Sequence, residues 1–276
     1  MLAVTPIPRE LATRVARAAV AHADAEVWRP SAAADAPDGA ATIEAALIAG
    51  DASRALAAAE QAAAAHPDAS APRVYLAWAL CAAAQPTAAL DQLRAAAALA
   101  NPGTGAIDRD PMRAYATARA EQLAFEHAAG AIAAVPPLVT TADLAVVTLA
   151  RGDGGDAWFT GPIDLQLSGA DVRAAIGEHR EVNARCLAVA LDALDAAPGF
   201  VEAAYLAARI AVKLGMVTSG RALFDAVAPR ITGRPDADAF ARDRRDLADP
   251  TEVVAAATKA PLPPTARKPR GLRVIS

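Results

Sequence analysis

The sequence predicts an all-α protein, and three observations carry that prediction. Of its 276 residues, 81 are alanine, the residue that costs least to place in a helix. Aromatic residues make up only 4% of the chain, which excludes a sandwich or barrel built from aromatic and β-branched side chains. Small residues recur at spacings of four and three, which puts them on one face of a helix where a neighbouring helix can approach closely.

The N-terminal region, residues 1–39, is predicted to contain one helix and a loop. Apolar residues fall on one helical stripe over residues 11–22, and Pro8 stands where proline opens a helix. Residues 31–39 are rich in proline and aspartate and form a connecting loop.

A 34-residue period begins after this loop. Gly50 and Ala84 lie 34 residues apart, and each is followed by small or apolar residues at matching positions and then by a proline. These are Ala55, Ala59, Ala62 and Pro67 in one copy, and Ala89, Leu93, Ala96 and Pro102 in the other. A partial third copy comprises Cys186, Ala190, Ala193 and Pro198. Chance in an alanine-rich chain is the alternative, but it does not explain Gly50 or the three prolines.

The spacing and its closing prolines resemble the tetratricopeptide repeat family, whose unit is two antiparallel helices in 34 residues. The resemblance implies antiparallel hairpins stacked as a solenoid over residues 40–135. Within that region, helices over residues 74–84 and 88–100 would form one unit. Related helical-hairpin families fit the same residues nearly as well.

A second helical region is predicted over residues 136–250, and it ends in another hairpin of the same kind. Its helices are expected over residues 202–214 and 221–228, with Phe224 packed inside and Pro229 closing the hairpin. The turn between them would be two residues longer than in the family.

The middle of the chain is predicted to hold two long helices and a small β-hairpin insertion near residues 157–167. The helices are expected over residues 111–134 and 168–197, the second beginning at a capping box. Apolar residues alternate with polar ones over residues 163–167, which favours a strand paired with residues 157–160. Residues 251–276, after a charged helix, form a basic, proline-rich tail that is either a docking peptide or a solvated end.

Charge and hydropathy restrict the class of partner. The formal net charge is −4, without the basic surplus that nucleic-acid binding requires, so no nucleic acid is expected. The longest uncharged run, residues 74–90, is too short and too polar to cross a membrane. The first ten residues lack the basic start and apolar stretch of a signal peptide, which predicts a cytoplasmic location.

No catalytic, metal-binding or cofactor-binding group is expected. None of the four histidines follows a glutamate at the Glu-x-x-His spacing of di-iron bundle proteins. The glycine-rich loop Arg151–Asp156 has neither the lysine nor the hydroxyl of a phosphate loop and is interpreted as a connector. A small-ligand or enzymatic site near Gly152–Leu167 remains a less favoured alternative.

The hairpin geometry predicts a groove that binds another protein or a peptide segment. In proteins of the resembled family, the first helix of each hairpin lines the concave surface, and its outward-facing side chains contact the partner. The corresponding residues here are Val74, Trp78, Cys81, Tyr205, Arg209, Val212 and Lys213. Aromatic side chains and arginine suit an interface anchor. We therefore expect a non-enzymatic adaptor or scaffold, and the alternative is a self-assembling structural subunit.

Overall fold

The computed structural model describes residues 9–99, 110–133, 150–151, 157–158 and 169–246. This part of the chain is all-α, as predicted, with ten α-helices. They are α1 Arg9–Asp24, α2 Ala40–Ile48, α3 Ala52–Ala65, α4 Ser70–Ala82, α5 Pro86–Leu99, α6 Pro111–Ala133, α7 Gly169–Ala196, α8 Val201–Lys213, α9 Val217–Ile231 and α10 Ala237–Asp246. None of the helices in these ranges is both long and apolar enough to cross a membrane.

The helices pack mainly against their neighbours along the chain. Every helix from α2 to α9 contacts the one that follows it, and a second set of contacts joins alternate helices, α2 to α4, α4 to α6 and α6 to α8. Helix α1 departs from this order because it packs against α7, α8 and α9, near the other end of the chain. Its Arg14 reaches Asp192 and Asp195 on α7, with N···O distances of 2.7 and 2.6 Å.

Three hairpins, α2–α3, α4–α5 and α8–α9, share one turn geometry. Gly50, Ala84 and Gly215 occupy the left-handed region with φ values of 75°, 56° and 86°. In each turn the next residue's N–H donates to the carbonyl five positions earlier, as in Asp51 N–H to Ala46 O at 2.9 Å. This is the Schellman arrangement that ends many helices. The second helix of each hairpin begins two residues after the left-handed position.

Two details predicted for the last hairpin are wrong. Its turn is not longer than the others, because α9 begins at Val217 and not at residue 221. Pro229 does not close the hairpin but lies inside α9, which continues to Ile231. Proline removes one backbone donor but does not prevent its own residue from adopting helical φ, so the final turn can continue past it. Phe224 is fully buried, as predicted.

Residues 25–32 follow α1 in the connection to α2 and end in a short 3-10 helix, Pro30–Ala32; we call this segment the strap. Trp28 N–H donates to Gly199 O at 3.1 Å, and Trp28 and Phe200 form an isolated parallel bridge. Tyr75 O–H donates to Pro30 O at 2.6 Å. A methyl group added at Gly199 would lie 1.7 Å from the backbone oxygen of Glu26, so only glycine allows this close approach.

The predicted β-hairpin near residues 157–167 is not confirmed. Ala157–Trp158 does pair antiparallel, but with Ala150–Arg151, and each strand has two residues. The predicted partner strand, residues 163–167, lies outside the described residues, as do the connector 152–156 and the tail 251–276.

Candidate functional site

Four helices, α2, α4, α6 and α8, together with the turn before α10, line one open cavity of about 210 Å³, which we call the central cavity. Helix α2 contributes Leu47 and Ile48, α4 contributes Trp78, Cys81 and Ala82, α6 contributes Tyr115 and Arg119, α8 contributes Glu202, Tyr205, Leu206 and Arg209, and the turn before α10 contributes Arg234 and Asp236. Aromatic rings and arginines therefore share one wall, which is a typical composition of protein-binding anchors.

The residues predicted on α4 reach this region but are buried. Val74 is 1% exposed, and Trp78 and Cys81 are each 5% exposed. The Trp78 ring packs edge-on against Tyr75 and Tyr115, with centroids 6.2 Å away in both cases. In this conformation the three predicted side chains form part of the core, and they offer little surface to a partner.

The residues predicted on α8 lie nearer the surface. Tyr205, Arg209 and Val212 are half-buried, and Lys213 is exposed. Lys213 Nζ forms an ion pair with Glu126 of α6 at 2.8 Å. Burial alone would raise the pKa of Glu126, but the hydrogen bond and charge of Lys213 outweigh it and hold that pKa below its usual value. Of the predicted residues, only Trp78, Cys81, Tyr205 and Arg209 line the central cavity.

Helix α10 covers the outer end of this site. Phe240 is 5% exposed, and its ring centroid lies 5.2 Å from that of Tyr205 and 5.5 Å from that of Phe224. One turn later, Asp243 Oδ2 accepts a hydrogen bond from Tyr205 O–H at 2.6 Å and pairs with Arg209 Nε at 2.9 Å. An aromatic ring and a carboxylate three residues apart thus hold α10 on α8.

Arg234 is neutralised within the protein. Its guanidinium contacts Glu202 Oε1 at 3.0 Å and Asp236 Oδ1 at 3.0 Å. Burial raises the pKa of Glu202, and the charge of Arg234 opposes that shift. Two of the three arginines on the cavity wall therefore already have carboxylate partners.

Arg119 on α6 differs from the other two arginines. Its Nη1 donates to the amide oxygen of Gln122 at 3.0 Å, and no carboxylate of the described residues lies within ion-pair distance of it. None of its nitrogens is a buried donor without a partner, so its remaining N–H groups can reach solvent. The central cavity thus contains one arginine that forms no ion pair with a carboxylate of the described residues; its charge acts at longer range on Glu126, which is itself paired with Lys213.

Sequence reasoning overlooked Tyr115 and Arg119, although a signal was present. Residues 115–119 read Tyr-Ala-Thr-Ala-Arg and residues 205–209 read Tyr-Leu-Ala-Ala-Arg. A spacing of four places tyrosine and arginine on one helical face. The pair therefore occurs on both α6 and α8, and the cavity receives both copies. Arg234 had no such signal because it lies in a turn.

The cavity's cysteine is a poor nucleophile. Burial raises the pKa of Cys81 to about 12, and the charge of Arg119 offsets that only in part. A thiol with that pKa stays protonated near neutral pH, whereas the thiolate is the reactive form. Within the ranges that the structure describes, no group of three or more histidine, cysteine, aspartate or glutamate side chains is arranged to hold a metal ion.

Comparisons with known proteins found no match: no protein-family model, curated protein or solved structure is significantly similar to this chain.

Proposed function

We propose that the hairpins stack as a tetratricopeptide-like solenoid and that the chain is a non-enzymatic adaptor, which holds a segment of another protein in the groove formed by α2, α4, α6 and α8. The contacts between successive and alternate helices support the stacking. The shared turn of the α2–α3, α4–α5 and α8–α9 hairpins supports a common repeat unit.

The observation that carries the binding role is the central cavity itself. Four helices converge on about 210 Å³ of open space whose wall combines tyrosine rings with an arginine that has no ion-pair partner among the described residues. Aromatic residues and arginine dominate binding energy at protein interfaces because they bury large areas and offer directional polar groups. Of the partner residues predicted from sequence, Tyr205 and Arg209 are half-buried and are retained, and the half-buried Arg119 is added to them. Tyr115 is only 8% exposed and contributes to the cavity wall.

The scaffold already binds the strap, a connecting segment of its own chain, which supports the same role. The strap is bound through its backbone, with Tyr75 donating to Pro30 O and Arg230 Nη2 donating to Ala25 O at 2.6 Å. Glu44, which is buried, accepts the Ser31 N–H at 3.0 Å. Side chains of this fold can therefore supply hydrogen bonds to the backbone of a bound segment.

The test is a cavity-filling substitution with a matched control. Ala82 lines the cavity but is itself exposed, so Ala82→Arg inserts a long side chain without removing a core contact. Ala98→Arg makes the same change on the exposed surface of α5, away from the cavity. The full-length tagged protein should retain partner polypeptides from a cell extract with Ala98→Arg and lose them with Ala82→Arg. If both variants fold normally and retain the same polypeptides, the groove is not the binding site.

A further inference from the structure

The two Tyr-x-x-x-Arg pairs of the central cavity are occupied differently. On α8, Tyr205 and Arg209 both contact one carboxylate, Asp243, at 2.6 and 2.9 Å. On α6, Tyr115 lines the same cavity, and Arg119 contacts only the neutral amide of Gln122 among the described residues. The arginine of the pair thus has a carboxylate partner on α8 and a neutral amide partner on α6, where Tyr115 itself is buried against Trp78.

We infer that Arg119, beside the buried ring of Tyr115, is a binding site for an acidic side chain of the partner segment, with an aromatic residue of that segment one turn before it. This inference rests on the proposed function and names the chemistry of its partner. Helix α10 supplies the precedent, because Phe240 packs on Tyr205 while Asp243 binds the tyrosine hydroxyl and the arginine.

Charge complementarity favours a carboxylate over a neutral group at this position. The guanidinium of Arg119 is always protonated and presents several N–H donors in a plane, which suits the two oxygens of a carboxylate. Arg209 and Arg234 are already paired with carboxylates of the chain. A partner carboxylate would therefore gain most at Arg119.

The apolar residues of the cavity wall favour an aromatic side chain in the partner segment. Trp78 and Tyr115 stand edge-on to each other with centroids 6.2 Å apart, and Leu47, Ile48 and Leu206 complete the apolar lining. An aromatic ring entering this space would find edge and face partners at the distances that such pairs prefer. The cavity thus offers an apolar subsite beside a cationic one.

The experiment uses the full-length protein and three terminally blocked tetrapeptides as probes in calorimetric or NMR titrations. Acetyl-Phe-Ala-Ala-Asp-amide carries both elements, the Asn analogue lacks the charge, and acetyl-Ala-Ala-Ala-Asp-amide lacks the ring. The Phe/Asp peptide should bind at least about ten-fold more tightly than either of the others. That difference in affinity is the size expected for one charge-assisted hydrogen bond or one buried ring. Arg119→Gln should reduce its affinity to that of the Asn analogue.

Arg94→Gln is the matched control, since Arg94 is an exposed arginine of α5 that pairs with Asp91 and leaves the cavity untouched; it should not change binding. If the Phe/Asp and Phe/Asn peptides bind equally and Arg119→Gln has no effect, the inference of an acidic partner is wrong, while the proposal that the groove binds a polypeptide is unaffected. If none of the peptides binds, the groove proposal fails together with the inference. The comparison of Asp and Asn peptides on the unmodified protein decides the question even if Arg119→Gln does not fold.

Discussion

The helices α4 and α8 hold the predicted binding residues at equivalent positions of their hairpins, yet the two are covered differently. Helix α4 packs against α2, α3, α5 and α6, and its side chains from Val74 to Cys81 are all buried. Helix α8 has α10 as the cover over Tyr205, and that side chain stays half-buried. An equivalent position in a hairpin therefore does not fix exposure, which depends on the side chains that cover that face of the helix.

The largest expected effect is at Trp78. Trp78→Ala should lower the free energy of unfolding by about 4 kcal/mol, since truncation of a buried large aromatic leaves a cavity. Tyr205→Ala should cost about half as much because that side chain is half-buried. Chemical denaturation of both variants measures the difference. Equal losses would contradict the contrast between α4 and α8.

Helix α1 adds a pH-dependent contribution where its last turn contacts the residues before α8. His22 is fully buried, and its Nδ1–H donates to Pro198 O at 2.6 Å. Burial, reinforced by the charge of Arg230, lowers the pKa of His22 to about 4. In the unfolded chain histidine titrates near 6.5, so protons bind the unfolded state first as the pH falls.

Stability should consequently fall as the pH drops from about 6.5 to about 4, by about 3 kcal/mol in total from this group, and lose no more from it below that range. The measurement is the free energy of unfolding against pH for the natural protein and for His22→Asn, whose amide can still donate to Pro198 O. The variant should lack this component. Parallel pH profiles for the two proteins would rule out a buried neutral imidazole.

Removing the hydroxyl group of Tyr75 on α4 or of Tyr205 on α8 should lower the free energy of unfolding by a smaller amount. Tyr75 is 3% exposed, and its hydroxyl donates to Pro30 O, so Tyr75→Phe leaves a buried carbonyl without this donor and should cost about 2 kcal/mol. Tyr205→Phe should cost about 1 kcal/mol, because Asp243 keeps its ion pair with Arg209 and can reach water. Thermal or urea unfolding gives both values. A larger loss at Tyr205 would reverse the expected order.

The smallest effects concern the hairpin turns. A methyl group at Gly50 would meet no heavy atom within 4 Å, so Gly50→Ala tests the left-handed backbone alone and should cost about 1 kcal/mol. Ala84→Gly, at the equivalent turn, should stabilise the protein by a similar amount. The two changes in the free energy of unfolding should have opposite signs. The same sign in both would mean that the turns are not equivalent.

The hairpin turns show which kind of structural feature can be predicted from the sequence. The 34-residue spacing of Gly50 and Ala84 identified two equivalent positions, because a left-handed turn favours small residues. The capping box at Ser168 predicted the beginning of α7 to within a residue. Such signals are local, and each needs only the residues beside it.

Long-range packing had no comparable signal. Nothing in the sequence near Arg14 indicates that it pairs with Asp192 and Asp195, about 180 positions away. The burial of Trp78 likewise depends on which helices surround α4, and a periodic pattern defines only the faces of one helix. The Tyr-x-x-x-Arg spacing of α6 and α8 is visible in the sequence. Only the fold shows that Asp243 binds the α8 pair and that no carboxylate of the described residues forms an ion pair with Arg119.

The most direct test of binding in the groove is a map of amide chemical-shift changes as acetyl-Phe-Ala-Ala-Asp-amide is added to the protein. If the peptide binds in the central cavity, the largest changes should lie on the cavity sides of α4, α6 and α8, around Cys81, Tyr115, Arg119 and Leu206. Largest changes on α3 and α5, or around residues 150–158, would place the binding site elsewhere and contradict binding in the central cavity.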